Sequence, residues 1–174
     1  PGKMNYASSG VGTTPHLAGE LFKSRFGLDI THIAYKGAAP ALTDTISGVT
    51  DFGFKTALSA IPSIQAGQLT PLAVASSQRL SMLPNVPTMA EVGIADFEIT
   101  SWNGLFAPAG TPRDIIDRLS AACASVAKMK DVQKTFAAQA AVVTSSTPEE
   151  FKKFVAAEIK MWGDVVRLTG ASAN

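Results

Sequence analysis

The first 75 residues of the chain alternate short apolar segments with segments that have the period of an amphipathic helix. The pattern predicts strands at 4–8, 30–35, 50–54 and 70–75, and helices at 15–27, 38–46 and 58–66. Short links between a strand, a helix and the next strand require parallel strand pairing with right-handed crossovers. This part of the chain is therefore predicted to form an α/β sheet.

The second half of the chain is mainly helical in its pattern. It predicts a short helix at 88–92, a strand at 97–107, helices at 112–126, 131–139 and 148–168, and a short strand at 141–143. The first long helix is expected to bury Ile115, Ile116, Leu119, Cys123 and Val126. Three helices with so few strands are too little to form an independent sheet domain. We therefore expect these helices to need a partner surface outside this chain.

Composition narrows the class of protein. Hydrophobic residues make up 46% and charged residues 17%, so the chain can bury a core. Lys and Arg total 15 against 14 Asp and Glu, and the basic residues are scattered. This argues against a nucleic-acid partner, because phosphate neutralisation needs a clustered basic excess. The sequence has no run of about 18 apolar residues, so no segment is expected to insert into a membrane.

Cysteine and histidine content limits the chemistry further. The single cysteine, Cys123, excludes an internal disulfide and a cysteine-based zinc site. His16 and His32 are too few for a histidine-built metal site, and no cofactor is predicted. The chain begins Pro-Gly-Lys-Met with no initiator Met or signal peptide, so we expect a processed or truncated product.

The most informative segment joins the first predicted strand to the first predicted helix. Glycines and hydroxyl residues stand directly before a helix N-terminus, where free N–H groups and the helix dipole favour an anion. The candidate ligand-binding residues here are Ser8, Ser9, Gly10, Gly12, Thr13, Thr14 and His16. The segment has no P-loop lysine and no third glycine at Pro15, so an ordinary strand-to-helix turn stays open as the alternative.

The two histidines are expected to be structural. His16 could bind a ligand or hold the loop by bonding a backbone carbonyl, and the second role is favoured because no Ser or Cys nucleophile can be paired with it. His32 falls in the middle of a strand and is expected to be a surface histidine or one with satisfied hydrogen bonds.

Two further loops are predicted to lie beside the first, because the carboxyl ends of parallel strands meet at one edge of a sheet. Lys36 and Gly37 follow the second strand, and Lys55, Thr56 and Ala57 follow the third. Lys36 either pairs with a carboxylate or is solvated, and Gly37 offers a backbone N–H. Lys36, Gly37 and Thr56 therefore join the candidate ligand-binding residues.

Catalytic constellations are missing from the sequence. Asp44, Asp51 and Asp96 do not have the spacing of paired carboxylates, and no G-x-S-x-G elbow is present. The sequence therefore favours binding over catalysis. An α/β enzyme that uses His16 as an acid or base is the alternative, with Lys36 as its only second titratable group.

Several short motifs, in their order and spacing, resemble the Bug family, the solute receptors of tripartite tricarboxylate transporters. The matching segments are SSGVGTTPHLAGELF at 8–22, YKGAAPA at 35–41, IPSIQAGQLTPLAV at 61–74, RLSMLPNVPTMAEVG at 79–93 and WNGLFAPAGTP at 102–112. Each motif alone is weak. Together they cover essentially the whole chain.

The resemblance implies a type II periplasmic-binding-protein fold with a three-layer α/β/α lobe. Residues 1–103 would form the ligand-binding second lobe, and 104–174 the crossover strand and C-terminal helices of an incomplete first lobe. The resemblance also implies a periplasmic receptor, not an enzyme, that binds a small carboxylate between its lobes. Such a receptor delivers its ligand to the membrane subunits of the transporter.

Family members have a further N-terminal stretch that builds most of the first lobe. The resemblance therefore implies that half of the expected ligand contacts lie outside this chain. A homodimer formed through the uncovered faces of the C-terminal helices is a third hypothesis.

Overall fold

A parallel pair of strands organises the α/β part of the computed structural model, which describes residues 2–171. Strand β1, Met4–Ser8, pairs with strand β2, Ile30–Ala34, in a register that runs from Met4 opposite Ile30 to Ser8 opposite Ala34. Helix α1, Thr14–Phe26, connects them. The predicted strand–helix–strand unit with parallel pairing is therefore confirmed.

Five further helices follow, close to their predicted bounds. They are α2 (Ala38–Ile46), α3 (Ala57–Gln65), α4 (Arg113–Ala127), α5 (Lys130–Ala137) and α6 (Pro148–Thr169).

The predicted helix at 88–92 is wrong. The Glu91 carboxylate accepts the Thr88 N–H at 2.7 Å and closes a single turn instead. Among residues 2–171, no helix combines the length and apolar character needed to cross a bilayer.

The strand predicted at 50–54 is reduced to one isolated bridge, between Phe52 and Tyr6. Side chains take over the neighbouring hydrogen bonds of the ladder. The Asp51 carboxylate accepts the Asn5 N–H at 2.7 Å, and Asn5 Oδ1 accepts the Asp51 N–H at 3.2 Å. Because side-chain oxygens satisfy these backbone donors, regular strand pairing does not extend from Phe52 back to Asp51.

The other predicted strands are also wrong within the described part of the chain. At 70–75, only Val74 forms a bridge, with Thr88. The Val74 N–H donates to Pro87 O at 2.9 Å, but Pro87 has no N–H to continue the ladder. Residues 97–107 and 141–143 are irregular, although the Ile99 N–H donates to Ala75 O at 2.8 Å.

The chain divides into two compact units, Pro1–Ser101 with Trp162–Asn174, and Trp102–Met161. In the first unit Tyr6 is fully buried. Phe97 packs edge-on against Phe22 at 5.9 Å and stacks on Phe54 at 5.7 Å between ring centroids. The first unit therefore has an aromatic core of its own. The predicted lobe boundary after residue 103 stays a prediction.

The second unit is held by an aromatic cluster around Trp102. Its ring lies 5.8 Å from Phe151 and 5.1 Å from Phe154, and its Nε1 donates to Glu158 Oε2 at 2.8 Å. The predicted burial of the apolar face of α4 is wrong, since Leu119 is 44% exposed and Cys123 is also exposed. Within the described part of this unit, α5 is the element that packs against α4.

Gly19 of α1 gives a test of how tightly the core around Tyr6 is packed. A Cβ at position 19 would lie 2.2 Å from Tyr6 Cε2, so Gly19→Ala forces the ring or the helix to shift. We expect a loss of about 1–3 kcal/mol in the free energy of unfolding. Thermal unfolding monitored by circular dichroism measures it.

Gly163→Ala in α6 is the matched control for that substitution. Among the described residues, a Cβ there would meet only Arg167 Nη1, at 3.8 Å. Alanine is favoured over glycine inside a helix by about 1 kcal/mol, so this variant should unfold at a higher temperature. Stabilisation by both substitutions would contradict the close packing at Gly19.

Candidate anion-binding site

The loops that follow β1 and β2 lie side by side at the carboxyl edge of the strand pair. The Tyr35 N–H donates to Ser8 O at 3.1 Å, and the Gly37 N–H donates to Ser9 O at 3.0 Å. Gly10 has a φ of +136°, and a Cβ there would lie 3.2 Å from Tyr35 O. A side chain at this position would be strained, so glycine allows the two loops to approach each other.

A third segment, 53–56, reaches the same edge. Gly53 lies against β1, where a Cβ would be 2.6 Å from Ala7 O. The Lys55 ammonium donates to Ala41 O of α2 at 3.0 Å. A small pocket of about 20 Å³ opens between the first loop, α2 and this third segment, and the residues that line it are Ser9, Pro15, Ala38, Ala41, Phe54, Lys55, Thr56 and Ser59. The predicted meeting of three loops at one edge is confirmed.

The first turns of α1, α2 and α3 border this pocket. Pro15 and Ala38 lie in the first turns of α1 and α2, and Thr56 directly precedes α3. Among the described residues, no side chain caps the N-terminus of any of these helices, and their first turns contain no acidic residue. Three helix dipoles thus present uncompensated partial positive charge to one pocket, an arrangement that favours an anion.

The helices that begin outside the pocket differ in their first-turn charge, although α4 and α5 also lack a side-chain cap. Each has an acidic residue in its first turn: Asp114 in α4, Asp131 in α5, and Glu149 and Glu150 in α6. At α6, Thr147 Oγ1 accepts the Glu150 N–H at 3.2 Å, and the Glu150 carboxylate accepts the Thr147 N–H at 2.8 Å. Compensated N-termini are therefore common in this chain, and the pocket is where they are missing.

The sequence-predicted ligand-binding residues occupy different positions relative to the pocket. Ser9 and Thr56 line the pocket. Gly10, Gly12, Thr13, Thr14 and Gly37 belong to the loops beside it. Lys36 is exposed and is not part of the pocket lining. The assignment of these residues as ligand contacts stays a prediction.

Ser8 and His16 have their side chains engaged inside the protein. Ser8 Oγ lies 2.7 Å from His32 Nε2 and accepts the Gly10 N–H at 3.2 Å. His16 is 5% exposed, and its Nδ1 accepts the Gly12 N–H at 3.0 Å. His16 therefore holds the loop through a backbone N–H, where sequence reasoning had expected a backbone carbonyl.

A stack of rings lies beneath this loop. The His32 ring centroid lies 4.8 Å from that of Tyr6 and 4.2 Å from that of His16. Burial, with a contribution from the neighbouring His16, lowers the pKa of His32 to about 4. Burial also lowers the pKa of His16. Both histidines are consequently neutral at neutral pH, and His32 is a satisfied, partly buried histidine.

Glu20 completes this cluster as its one carboxylate. It accepts a hydrogen bond from the Tyr6 hydroxyl at 2.7 Å and one from Lys23 Nζ at 3.0 Å. Burial by itself raises the pKa of Glu20, but these two hydrogen bonds outweigh it and lower the pKa overall. The Tyr6 pKa is raised by burial and by the Glu20 carboxylate. Glu20 is therefore ionised and Tyr6 remains a donor.

His16, Glu20 and His32 also bring their potential metal-ligand atoms within 4.8 Å of one another. Sequence reasoning missed this cluster, although the four-residue spacing from His16 to Glu20 on a helix was a visible signal. The two imidazole rings are stacked with an interplanar angle of 21°, so their lone pairs lie in nearly parallel, separate planes and do not converge well on one ion. The geometry suits a hydrogen-bonded support for α1 better than a metal centre.

Lys55 is the charged pocket residue that sequence reasoning left out of the candidate site. Its side chain is half-buried, and burial lowers the pKa of its ammonium to about 8. The sequence places Lys55 at the correct edge, but nothing in the local pattern distinguishes it from the exposed Lys36. The difference arises only when α2 packs over the third loop.

Solved structures with this fold are periplasmic solute-binding proteins. The chain matches R. palustris Rpa4515 with adipate at a TM-score of 0.91 and 32% identity, covering 99% of this chain and 57% of that one. It matches MatC (Rpa3494) from Rhodopseudomonas palustris with bound malate at a TM-score of 0.80 and 31% identity, covering 94% and 56%. The predicted α/β periplasmic-binding-protein fold is confirmed.

The sequence profile described as "Tripartite tricarboxylate transporter family receptor" matches residues 1–171. BugT of Bordetella pertussis is 39% identical over 171 residues, which make up 98% of this chain and 52% of that protein. The chain belongs to the tripartite tricarboxylate transporter receptor family, and the resemblance to the Bug proteins is confirmed. It spans about half the length of the curated relatives it matches.

His32 predicts a pH dependence of stability. Its pKa is about 4 in the folded chain, against an ordinary value of about 6.5, so the unfolded chain binds a proton first as the pH falls. The stability that neutral His32 contributes is complete above about pH 6.5 and is lost as the pH falls through 4. We expect the wild-type melting temperature to decrease across this range.

His32→Gln isolates this contribution, because the amide can still bond Ser8 but does not titrate. The decrease in melting temperature between pH 7 and pH 4.5 should be smaller in the variant by at least about 2 °C. Thermal unfolding at a series of pH values measures both proteins. Superimposable pH profiles would show that His32 titrates normally.

Proposed function

We propose that this chain is the ligand-binding part of a periplasmic solute-binding receptor and binds a small carboxylate, with the anionic group of the ligand at the small pocket bordered by α1, α2 and α3. The observation that carries this proposal is the set of three uncapped helix N-termini around one pocket. A carboxylate accepts hydrogen bonds from first-turn N–H groups and compensates the helix dipoles. Two structural relatives support the ligand class, since one contains adipate and the other malate.

The geometry of the site separates the proposed ligand contacts from the residues that position the first loop. We assign direct contact to the accessible loop residues Ser9, Gly10, Thr13, Thr14, Gly37 and Thr56, with Lys36 outside the pocket lining. Ser8, Gly12 and His16 are assigned a positioning role, because their hydrogen bonds hold the first loop in shape. Backbone donors therefore supply most of the recognition.

Family membership supports the wider role. We propose that residues 1–103 form the second lobe of the receptor and that 104–174 contribute to the first. The ligand would be delivered to the membrane subunits of a tripartite transporter. Association of two copies through the uncovered faces of the C-terminal helices stays a hypothesis, which size-exclusion chromatography at several concentrations tests.

The enzyme alternative has less support from the site. His16 is nearly fully buried, and its Nδ1 is occupied by the Gly12 N–H. The matched relatives with printed roles are a receptor family and binding proteins rather than enzymes.

Ala38→Glu tests the pocket without weakening the fold. Ala38 is the first residue of α2 and lines the pocket. A carboxylate there stabilises the helix N-terminus by about 0.3–1 kcal/mol but repels an anionic ligand. We expect the affinity for adipate and for malate to fall by at least about tenfold. NMR titration at constant ionic strength measures the affinity.

Ala38→Gln is the neutral control of nearly the same size, and it should lose less than about threefold in affinity. Equal binding by the wild type and Ala38→Glu would place the ligand elsewhere. Melting temperatures measured on the same samples show whether both variants remain folded.

A further inference from the structure

Asn103 and Gly104 lie in the irregular segment at the start of the second compact unit. Both residues are exposed, and their backbone belongs to neither a helix nor a strand. Within residues 2–171, the Asn103 side chain makes no hydrogen bond and the Gly104 N–H has no acceptor. A side-chain amide and the backbone nitrogen that follows it are therefore both free and accessible to water.

The other asparagines of the described chain, Asn5 and Asn85, are held by hydrogen bonds. Asn5 lies in β1, and its Oδ1 accepts the Asp51 N–H at 3.2 Å. Asn85 precedes Val86, whose N–H donates to Leu83 O at 3.0 Å. At each of these positions the structure therefore restrains either the side-chain amide or the backbone nitrogen next to it.

Aromatic packing requires glycine at position 104. A Cβ there would overlap Cζ of Phe151 and lie 3.2 Å from Phe106 Cε2. The Phe151 ring belongs to the cluster around Trp102, with 5.8 Å between the two ring centroids. Any other residue would displace this cluster, so the packing that holds the second unit also leaves the backbone nitrogen at this position without a shielding side chain.

An asparagine followed by an unshielded glycine can react without an enzyme, and asparagine is among the thermolabile residues. The Gly104 nitrogen loses its proton and attacks Asn103 Cγ. A new N–Cγ bond forms, the Cγ–Nδ2 bond breaks, and ammonia leaves with the proton. Water then opens the cyclic imide. Cleavage of the new N–Cγ bond gives aspartate, and cleavage of the original peptide bond gives isoaspartate, whose main chain runs through Cβ and Cγ.

We propose that the pair Asn103 and Gly104 is a site of spontaneous deamidation in the folded chain, where isoaspartate forms as the protein ages. This modification is independent of the proposed carboxylate-binding function. It lengthens the main chain next to Trp102 and adds a negative charge there. The aromatic cluster should pack less closely as a result, and the melting temperature of the converted chain should fall by at least about 2 °C.

Incubation of the chain at mildly alkaline pH and physiological temperature tests the proposal. Peptide mass mapping locates each conversion of an amide to an acid. Methylation by an isoaspartate-specific methyltransferase then distinguishes isoaspartate from aspartate. Conversion at Asn103 should be at least about tenfold faster than at Asn5 or Asn85.

The same incubation in guanidinium chloride separates the effect of the structure from that of the sequence. The folded segment already leaves both reacting groups free, so the rates at Asn103 in the folded and unfolded chains should agree within about threefold. Asn85 should react faster in the unfolded chain, because unfolding releases the Val86 N–H.

Asn103→Gln is the variant that removes the reaction, since its longer side chain would have to close a larger and less favourable ring. It should lose the isoaspartate signal and keep its melting temperature during incubation. Asn85→Gln is the matched control and should behave as the wild type does.

Two results would overturn the proposal. One is isoaspartate that persists in Asn103→Gln, and the other is a rate at Asn103 more than about tenfold slower in the folded chain than in the unfolded chain. Loss of the signal in Asn103→Gln but not in Asn85→Gln, with similar folded and unfolded rates at Asn103, supports it. A constant melting temperature after conversion overturns the effect on the Trp102 cluster.

Discussion

The parallel pairing of β1 with β2 is the interaction on which the candidate site depends. The hydrogen-bond ladder continues past the strands, because Tyr35 and Gly37 donate to the carbonyls of Ser8 and Ser9. Those two bonds join the loop that opens α1 to the loop that opens α2. Backbone hydrogen bonds thus help to hold the N-termini of two helices beside one pocket. A shift of one residue in the register would separate them.

The ring stack beneath the first loop fixes the position of α1 on this frame. Tyr6 is in the middle of β1, and its hydroxyl donates to Glu20 on α1. His32, from β2, stacks on both Tyr6 and His16, so residues from both strands and the helix meet in one cluster. Gly19 lets the Tyr6 ring approach α1 closely. The same cluster therefore stabilises the fold and holds the pocket loop in shape.

Local sequence signals predicted the helices and the first two strands. Tertiary contacts determine where the other predicted strands fail to form and which side chains are buried. Gly27 ends α1 with a φ of 59°, as a glycine placed after a helical pattern should. By contrast, nothing in the apolar segment at 50–54 shows that the Asp51 carboxylate will take the Asn5 N–H. The burial of Lys55 likewise depends on α2, which packs beside it only in the folded chain.

For the candidate site too, the sequence predicted the location but not the contacts of individual residues. The loop sequence from Ser8 to His16 identified a helix N-terminus suited to an anion, and the convergence of three loops followed from parallel strand order. Neither signal distinguishes a residue that faces the pocket from one that supports it. Ser8 and His16 have the residue types of ligand contacts, yet their polar atoms are taken by His32 and by the Gly12 N–H.

The first turns of α1, α2 and α3 have neither a side-chain cap nor an acidic residue, and this combination lowers the stability of the fold. A side-chain cap contributes about 1 kcal/mol, so leaving three N-termini without one forgoes on the order of 3 kcal/mol. The chain can build such caps, as the reciprocal bonds between Thr147 and Glu150 at α6 show. A ligand at about 100 times its dissociation constant adds roughly 2.7 kcal/mol, which is comparable to the missing caps. In the proposed site, the N–H groups that side-chain caps would satisfy are the groups that would bind the anion, so an added cap at these positions would compete with the ligand.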